Sequence, residues 1–468
     1  MQRTWVKWLI VLAVGAGIAF IPAPESVSRA SWTLFAIFIA TIVGSIIQPL
    51  TGSAIVFLGV IAVVIFGASP MDKALKGYAD PNVWLVLSAF FISRGMIKTG
   101  LGRRTALYFV RLIGKQTLGL GYALVIAETL LATVIPSTSA RMGGVILPIT
   151  RGITETFDSY PNDDSANKFG IFLINLLYQT EVIICATFLT GQVSNFIIAD
   201  FALKNANIEL TYARWLTASI VPSIVSLIVI PLMIYKFFPP EIRSTPKAAE
   251  FAGEQLNELG KMSLHEWIML GVFVLVVLLW ATKSLNQLDT TLVALLGIAV
   301  LLLTKVLDWK DISQEHSAWE VFIWYGGLVN LATALGETGL TKLFAEKMAS
   351  YTNGMSWMVA LAVLIFIYFY SHYAFASITA HVTAMYVPFL AVTIAIGAPP
   401  ALAVLLLAFF SNLDAGLTHY GTTSGPVLFG AGYVKQKNWW TIGLIASVLN
   451  ILIWSIVGIV WWKVLGWW

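Results

Sequence analysis

Residues 136–141, Pro-Ser-Thr-Ser-Ala-Arg, are a polar interruption in an apolar part of the chain, and residues 377–381, Ser-Ile-Thr-Ala-His, form a second one. The apolar arms around the first interruption, residues 120–135 and 140–149, are short for a hydrocarbon core that takes ~20 residues of helix. Two short arms joined by a polar tip are typical of a re-entrant hairpin, in which irregular backbone at membrane depth is shielded by protein. The sequence therefore predicts two hairpins, one around each tip.

The composition of the 468 residues places these hairpins in a membrane protein. Hydrophobic residues make up 58% and charged residues 11% of the chain, whereas a soluble domain has roughly 25% charged residues. Segments such as residues 267–280 are apolar on every side, which excludes the alternating strands of a β-barrel. We predict an all-α polytopic membrane protein with about eleven transmembrane helices and two re-entrant hairpins.

The basic residues indicate the orientation of the helices, although the formal net charge of +4 could also suggest an anionic partner. Most basic residues, such as Arg3 and Lys261, fall on one predicted side, and fewer, such as Lys73 and Lys342, fall on the other. The positive-inside rule then predicts a cytoplasmic N-terminus and an external C-terminus in a bacterial cytoplasmic membrane. Residues 8–20 are interpreted as the first transmembrane helix and not as a cleaved signal peptide.

The two halves of the chain repeat one another at a spacing of 240 residues. The basic member of each tip, Arg141 or His381, is followed seven residues later by a proline, and Thr99-Gly100-Leu101 corresponds to residues 338–340. An odd number of predicted crossings separates the repeats, so they face opposite ways across the membrane. Inverted repeats with interrupted helices are typical of secondary transporters, whose substrate site lies near the midplane.

The hydroxyl groups of the tips are candidate substrate ligands. The second arm of each hairpin starts at its tip, so a helix N-terminus with free N–H groups points at whatever lies there. Two such positive ends suit a substrate with two anionic ends, such as a dicarboxylate. The alternative is that the hydroxyls only satisfy the broken backbone. The candidates at the tips are Ser137, Thr138, Ser139, Ser377 and Thr379.

Two further apolar segments are interrupted at residues 190–195 and 418–426, where glycines permit turns and polar groups accumulate. Interrupted helices in matching positions of both halves are a pointer to a binding site. The candidates here are Ser194, Asn195, Gly421, Thr422 and Thr423.

Arg141 and His381 are the most specific polar residues of the tips, since a charge inside the membrane costs roughly 2.5–3.5 kcal/mol on insertion scales. Snorkelling to the interface is the alternative for Arg141, but it does not explain His381 at the equivalent position. We expect both to bind substrate, and we expect an empty site to expose their charge. Glu128 and Glu181 are candidate proton carriers or members of ion pairs.

Enzyme signatures are absent from the sequence. The chain has no phosphate-binding loop for ATP and no two-histidine zinc helix. Cys185 is the single cysteine, which excludes an intrachain disulfide. We expect no cofactor, no metal and no nucleic-acid partner. A membrane-embedded hydrolase remains an alternative of a different class, although it leaves the duplicated tips unexplained.

The Ser-x-[Ser/Thr] tips, the broken helices behind them and residues 417–423, Leu-Thr-His-Tyr-Gly-Thr-Thr, resemble the divalent anion:sodium symporter family over the whole chain. The exchanger branch, with plastid 2-oxoglutarate/malate translocators and bacterial citrate/succinate antiporters, is the most similar. The resemblance implies an elevator-type homodimer. It also implies scaffold helices at residues 1–118 and 263–350 and transport-domain parts at 119–236 and 351–468. The charged, proline-containing stretch between the two halves, residues 237–262, predicts a cytoplasmic linker.

The resemblance implies that the tip residues bind substrate carboxylates. Sodium-coupled members usually carry Ser-Asn-Thr at both tips, whereas Thr138 and Ile378 stand at the middle positions here. The missing asparagines favour sodium independence, and the fixed charges expected at Arg141 and His381 favour obligate exchange, because an empty carrier would expose them to the bilayer. We therefore predict sodium-independent obligate exchange of 2-oxoglutarate, malate, fumarate or succinate. A sodium- or proton-coupled symporter of dicarboxylates or citrate remains the alternative, and sulfate is a less favoured substrate.

Overall fold

A computed structural model of the protein describes residues 4–25, 27–336, 338–340, 343, 346–348, 354–375 and 377–468. Arg3, Lys342 and the domain boundary predicted at residue 350 lie outside these residues. The chain divides into two compact units. The first comprises Met1–Leu87, Ile197–Glu209 and Glu315–Leu407, and the second comprises Ser88–Phe196, Leu210–Gln314 and Ala408–Trp468.

The described part of the first unit is built from helices and three short helical turns. Its core lies where Arg29–Ile47, Gly52–Ile65 and His316–Gly336 pack together through buried side chains such as Phe38, Val56 and Leu328. Its remaining helices are Thr4–Phe20, Met71–Ala74, Trp357–Ser371, Ile378–His381 and Val387–Ala395, with the 3₁₀ turns Lys76–Ala79 and His372–Ala374 and the π-helical turn Val382–Tyr386.

The second unit surrounds the helix Gly170–Thr187, which is buried along almost its whole length because other segments cover it on all sides. The helices of this unit are Leu101–Ile113, Thr117–Ala132, Thr138–Arg141, Leu147–Glu155, Tyr212–Phe237, Pro246–Leu259, Leu264–Ala281, Lys283–Asn286, Thr290–Leu303, Trp309–Ser313, Gly425–Phe429, Gln436–Ile453 and Ile459–Val464. Its shorter turns are Met142–Ile146 and Trp454–Gly458, which are π-helical, and Asp164–Asn167, Leu189–Gly191 and Asp414–Gly416, which are 3₁₀. Three helices have residues in both units: Pro81–Thr99, Val193–Ala206 and Pro400–Leu413.

The helices of the described chain agree with a multi-pass membrane protein. Seven of them are long and apolar enough to cross a membrane by length and composition. The pair Pro81–Thr99 and Leu101–Ile113, bent by 63°, makes an eighth if it is one span. Both arms of the second predicted hairpin, Trp357–Ala374 and Ile378–Ala395, pass this test. The all-helical class is therefore confirmed, while the count of eleven spans and the re-entrant hairpins stay predictions.

The repeat seen in the sequence has a structural counterpart. The helix Thr138–Arg141, the π-turn Met142–Ile146 and the helix Leu147–Glu155 have the same bounds, shifted by 240 residues, as Ile378–His381, Val382–Tyr386 and Val387–Ala395. Gly100 and Gly339 both have φ of 75°, a left-handed conformation that glycine adopts without steric cost. The inverted orientation of the two repeats stays a prediction.

The segment predicted to be a linker contains a packed helix, Pro246–Leu259. Ala248 and Ala252 are fully buried on one side of it, while Arg104 donates to the backbone oxygens of Leu259 and Gly260 just beyond its end. The small side chains of these alanines permit the close packing. The charged residues and prolines of the segment had indicated a linker and gave no sign of a packed helix. The helix belongs to the second unit, and its cytoplasmic location stays a prediction.

Candidate functional site

The first tip lies in the second unit, at the start of a continuous helical segment that runs from residue 138 to residue 155. Ser137 caps this segment, since its hydroxyl accepts from the backbone N–H of Ala140 at 3.2 Å. Ser137 and Ser139 are partly exposed, whereas Thr138 between them is buried. The tip therefore presents two hydroxyl side chains and a helix N-terminus at its surface.

Thr138 connects this tip to the second interrupted segment. Its hydroxyl lies 2.8 Å from that of Thr423, which is exposed. Thr422 is buried, where its hydroxyl accepts from the backbone N–H of Gly425 at 2.9 Å and lies 2.8 Å from the Ser424 hydroxyl. The structure thus brings Ser137, Ser139 and Thr423 together as accessible hydroxyls around Thr138.

Arg141 is fully buried beneath the tip and is held by several partners. Its Nε donates to Oε1 of Glu128 at 2.7 Å, and its Nη1 donates to the backbone oxygens of Ile135 and Gly191. These contacts link the first arm of the hairpin, the second arm and the first interrupted helix. The expectation of an exposed, uncompensated charge at Arg141 was wrong, because Glu128 carries the opposite charge beside it.

Glu181 lies close to the same network. It is fully buried and accepts a hydrogen bond from the Ser424 hydroxyl, which in turn contacts Thr422. Arg141, Glu128 and Glu181 therefore bring one cationic group and two carboxyl groups into one buried region of the second unit. Charges in an apolar interior are costly unless they are paired, so this group needs a compensating proton or cation.

The first interrupted segment is stabilised by amide side chains. Asn195 donates to the backbone oxygens of Cys185 and Phe188 at 2.8 and 2.9 Å, and its own oxygen accepts from Asn412 at 2.9 Å. Gln192 donates to the side-chain oxygen of Asn412. Asn195 thus satisfies backbone groups that the helix break exposes, a role that competes with substrate binding.

A neighbouring hydroxyl is differently placed. The Ser194 hydroxyl is buried and has no hydrogen-bond partner among the described residues. A buried polar group without a partner costs roughly 1–3 kcal/mol. Ser194 is therefore available to a bound molecule or ion.

Close backbone contacts explain the glycines of the two interruptions. A Cβ at Gly191 would lie 2.5 Å from the carbonyl oxygen of Cys185, and one at Gly421 would meet the carbonyl oxygen of Ala415. In both cases the glycine packs on the backbone six residues upstream. The sequence identified both glycines without indicating this contact.

The second tip lies in the first unit. Ser377 and Thr379 are partly exposed and Ile378 is buried, the same pattern as in the first tip. His381 is fully buried, with its Nε2 3.0 Å from the Ser371 hydroxyl and its ring centroid 4.5 Å from that of Tyr368. The structure thus places His381 in an aromatic environment beneath its tip.

Several residues that hold the site were missed by the sequence analysis. Tyr178 donates to the backbone oxygens of Ala415 and Thr418, and Gln179 donates to that of Gly416. These bonds attach the buried helix Gly170–Thr187 to the second interruption. Polar residues in an apolar helix were the available signal. In the second interruption, the His419 ring stacks on that of Phe429 with centroids 4.4 Å apart, and its Nδ1 lies 3.5 Å from Trp440 Nε1.

Comparison with known proteins identifies the family. The family described as "sodium:sulfate symporter transmembrane region" matches residues 2–468. The chain belongs to this family. The predicted resemblance to divalent anion:sodium symporters is thereby confirmed, and transporters rather than enzymes are its relatives.

Three relatives illustrate the range of the family. Dicarboxylate transporter 1 of Arabidopsis thaliana chloroplasts is 42% identical, over 100% of this chain and 84% of its own length. YflS of Bacillus subtilis, whose name describes it as a candidate malate transporter, is 48% identical over 99% of this chain and 97% of its own. The citrate/succinate antiporter of Escherichia coli is 34% identical over 99% of this chain and 98% of its own length.

A solved structure supports the fold of this family member. MtrF of Neisseria gonorrhoeae aligns with a TM-score of 0.53 over 98% of this chain and 94% of its own, at 14% identity. At that identity the likeness concerns the fold alone.

Proposed function

We propose that this family member is a secondary transporter that exchanges C4 and C5 dicarboxylates across the bacterial cytoplasmic membrane. Malate, 2-oxoglutarate, fumarate and succinate are the substrates. The observation that carries the proposal is the 42% identity over the whole chain to a protein named as a dicarboxylate transporter. The Arabidopsis and Bacillus names both support this substrate class.

The first tip supports recognition of a carboxylate. Ser137 and Ser139 present partly exposed hydroxyls at the start of the helical segment, and Thr423 adds a third. A carboxylate there gains hydrogen bonds from hydroxyl and N–H donors and a favourable interaction with the helix dipole. Each hydrogen bond to a charged group is worth about 1.5–3 kcal/mol.

The remaining predicted ligands extend this proposal. Ser377 and Thr379 belong to it on the same grounds, as partly exposed hydroxyls of the second tip, and Ser194 belongs to it through its unpartnered buried hydroxyl. Arg141, Thr138, Ile378 and Asn195 are buried, as are Gly421, Thr422 and His381. We propose that these buried residues shape the site and support the residues that bind substrate.

Sodium independence rests on the composition of the tips. Thr138 and Ile378 stand where sodium-coupled relatives usually carry asparagine. Because Glu128 neutralises Arg141, charge alone gives no reason for obligate exchange. Exchange is proposed on the likeness to the protein named as a citrate/succinate antiporter.

The family resemblance further supports a homodimer with elevator-type movement. The repeat at a spacing of 240 residues supports inverted repeats, and the distribution of basic residues supports a cytoplasmic N-terminus. The scaffold and transport domains predicted from the sequence belong to this proposal.

A coupled symporter is the second candidate. It is favoured by the buried carboxyl groups of Glu128 and Glu181 beside a single arginine, because such a group takes up a compensating proton or cation. Proton or sodium movement with the dicarboxylate would then replace exchange.

The test uses purified protein in proteoliposomes loaded with radiolabelled malate. We expect rapid efflux only when unlabelled dicarboxylate is present outside, with no acceleration by a sodium or proton gradient. Fast efflux into empty buffer, or acceleration by either gradient, would contradict exchange and favour the symporter. Absence of malate movement under every condition would contradict dicarboxylate transport itself.

A further inference from the structure

The first unit contains a cavity of about 780 Å³ at one end of its helices, outside both tips. Its lining includes Lys73 and Lys76, and Lys204 from the last turn of Val193–Ala206. Asn330 and Thr333 contribute polar groups from the last two turns of His316–Gly336. Most of the lining comes from helix ends and loops, which lie toward the membrane faces in a multi-pass protein.

The described residues that line the cavity carry a net positive charge. Three lysines line it against one described acidic residue, Asp80. Lys204 is compensated, since its Nζ lies 2.7 Å from Asp200 and 3.7 Å from Asp80, and it also donates to Thr333 at 3.2 Å. Among the residues that the structure describes, Lys73 and Lys76 form no ion pair, and both are exposed. Two cationic groups are therefore available to an anion.

The segment that carries these two lysines is held rigidly. A Cβ at Gly77 would lie 2.8 Å from Cβ of Asn330 and nearer still to the carbonyl oxygen of Gly326. Tyr78 follows, and its hydroxyl donates to the carbonyl oxygen of Ile323 at 3.0 Å. This glycine-mediated packing fixes the backbone beside Lys73 and Lys76, which lowers the entropy lost when an anion binds.

We propose that this lysine cavity is a second, weaker anion site that captures dicarboxylates from one side of the membrane before they reach the transport site. A cleft lined by one sign of charge with apolar walls concentrates ions of the opposite sign and speeds their association. The inference rests on the proposed dicarboxylate transport. It assigns Lys73 and Lys76 a role in capture that needs no contact with the tips.

The test compares the double variant Lys73→Gln/Lys76→Gln with wild-type protein in malate exchange. The malate concentration is raised to saturation on one side of the membrane and then, in a separate experiment, on the other. At about 0.02 M ionic strength, where the Debye length is near 20 Å, we expect KM to rise about three- to tenfold on one side only, with kcat unchanged. At about 0.5 M salt the difference should fall below about twofold, since screening removes it.

Three controls make the result specific. Lys73→Arg/Lys76→Arg keeps both charges and should retain the wild-type KM. Lys283→Gln, which removes one lysine outside this cavity, is the control for the single variant Lys76→Gln, which removes one lysine inside it. Wild-type exchange in the same vesicles tests the proposed transport independently, so its failure is distinguishable from failure of the capture site.

An unchanged KM on both sides at low salt would overturn the proposal. A rise that persists at high salt, or that appears on both sides, would also overturn it, because a structural defect and not charge would then be responsible. If the double variant loses only co-purified anionic phospholipid while KM stays unchanged, the cavity is a lipid site and the proposal is wrong.

Discussion

Arg141 shows, at the scale of single residues, how a charge is accommodated in the apolar interior. Its guanidinium donates to Glu128 and to two backbone oxygens of neighbouring segments. Removing one member of such a pair leaves the other charge buried and unpaired, whereas removing both leaves two neutral groups. Each member of the pair is therefore needed mainly because the other one is buried beside it.

We predict that Arg141→Gln and Glu128→Gln each destabilise the protein by about 3–5 kcal/mol, because each leaves an uncompensated buried charge. The double variant should be more stable than either single one. Apparent melting temperatures in detergent measure this. Arg151→Gln, at an exposed position on the same helical segment, is the matched control and should change little. Additive losses in the double variant would show that the two residues are not coupled.

The partly exposed hydroxyls of the tips carry a second prediction at this scale. Ser139→Ala and Thr379→Ala should each raise the KM for malate by roughly 10- to 100-fold, the equivalent of about 1.5–3 kcal/mol for a hydrogen bond to a charged group. Transport assays in proteoliposomes measure the change. Thr441→Ala removes a hydroxyl from an exposed helix position and serves as control. An unchanged KM in both tip variants would remove these residues from the site.

At the scale of elements, the interrupted helices depend on glycines that pack directly on backbone carbonyls. The first interruption is also stabilised by Asn195, whose side-chain amide donates to two backbone oxygens and whose side-chain oxygen accepts from Asn412. Because backbone cannot yield as a flexible side chain can, a methyl group at Gly191 or Gly421 has to displace the chain.

We therefore predict that Gly191→Ala lowers both the melting temperature and the transport rate, with a loss of at least about 1–3 kcal/mol as for overpacked sites. Gly271→Ala is the control, because a Cβ there meets nothing within 4 Å. In a helix interior that change is expected to be neutral or stabilising by about 0.5–1 kcal/mol. If the two variants behave alike, the close contact at Gly191 is not a constraint.

At the scale of the whole molecule, the basic residues around the helix Pro246–Leu259 predict the orientation in the membrane. This helix packs on its neighbours through Ala248 and Ala252. A cysteine introduced to test the orientation by chemical labelling therefore has to stand on the exposed side of the helix. Ala249 is only 8% exposed, whereas Glu254 is exposed.

We predict that Glu254→Cys, in a Cys185→Ser background, reacts with a membrane-impermeant maleimide only in inside-out vesicles. The reason is that the basic residues near this helix share the cytoplasmic side under the positive-inside rule. A permeant maleimide should label both vesicle preparations. Labelling of intact cells by the impermeant reagent would reverse the predicted topology.

The membrane class, the two tips and the repeat could be predicted from the amino-acid sequence alone. These features depend on local composition: apolar runs long enough for the bilayer, polar interruptions, and glycines at matching positions. The spacing of 240 residues reappears in the bounds of the helices and π-turns because the same local signals start and end them.

Which polar groups meet depends on how distant segments pack, and the sequence did not indicate it. Thr138 and Thr423 are 285 residues apart, and Asn195 and Asn412 are 217 apart. Composition predicts that a buried arginine needs a partner, but Glu128 becomes that partner because two arms of one hairpin pack side by side. The docking of the helix Pro246–Leu259 and the lysine cavity likewise depend on segments brought together by packing, and no local pattern encodes such contacts.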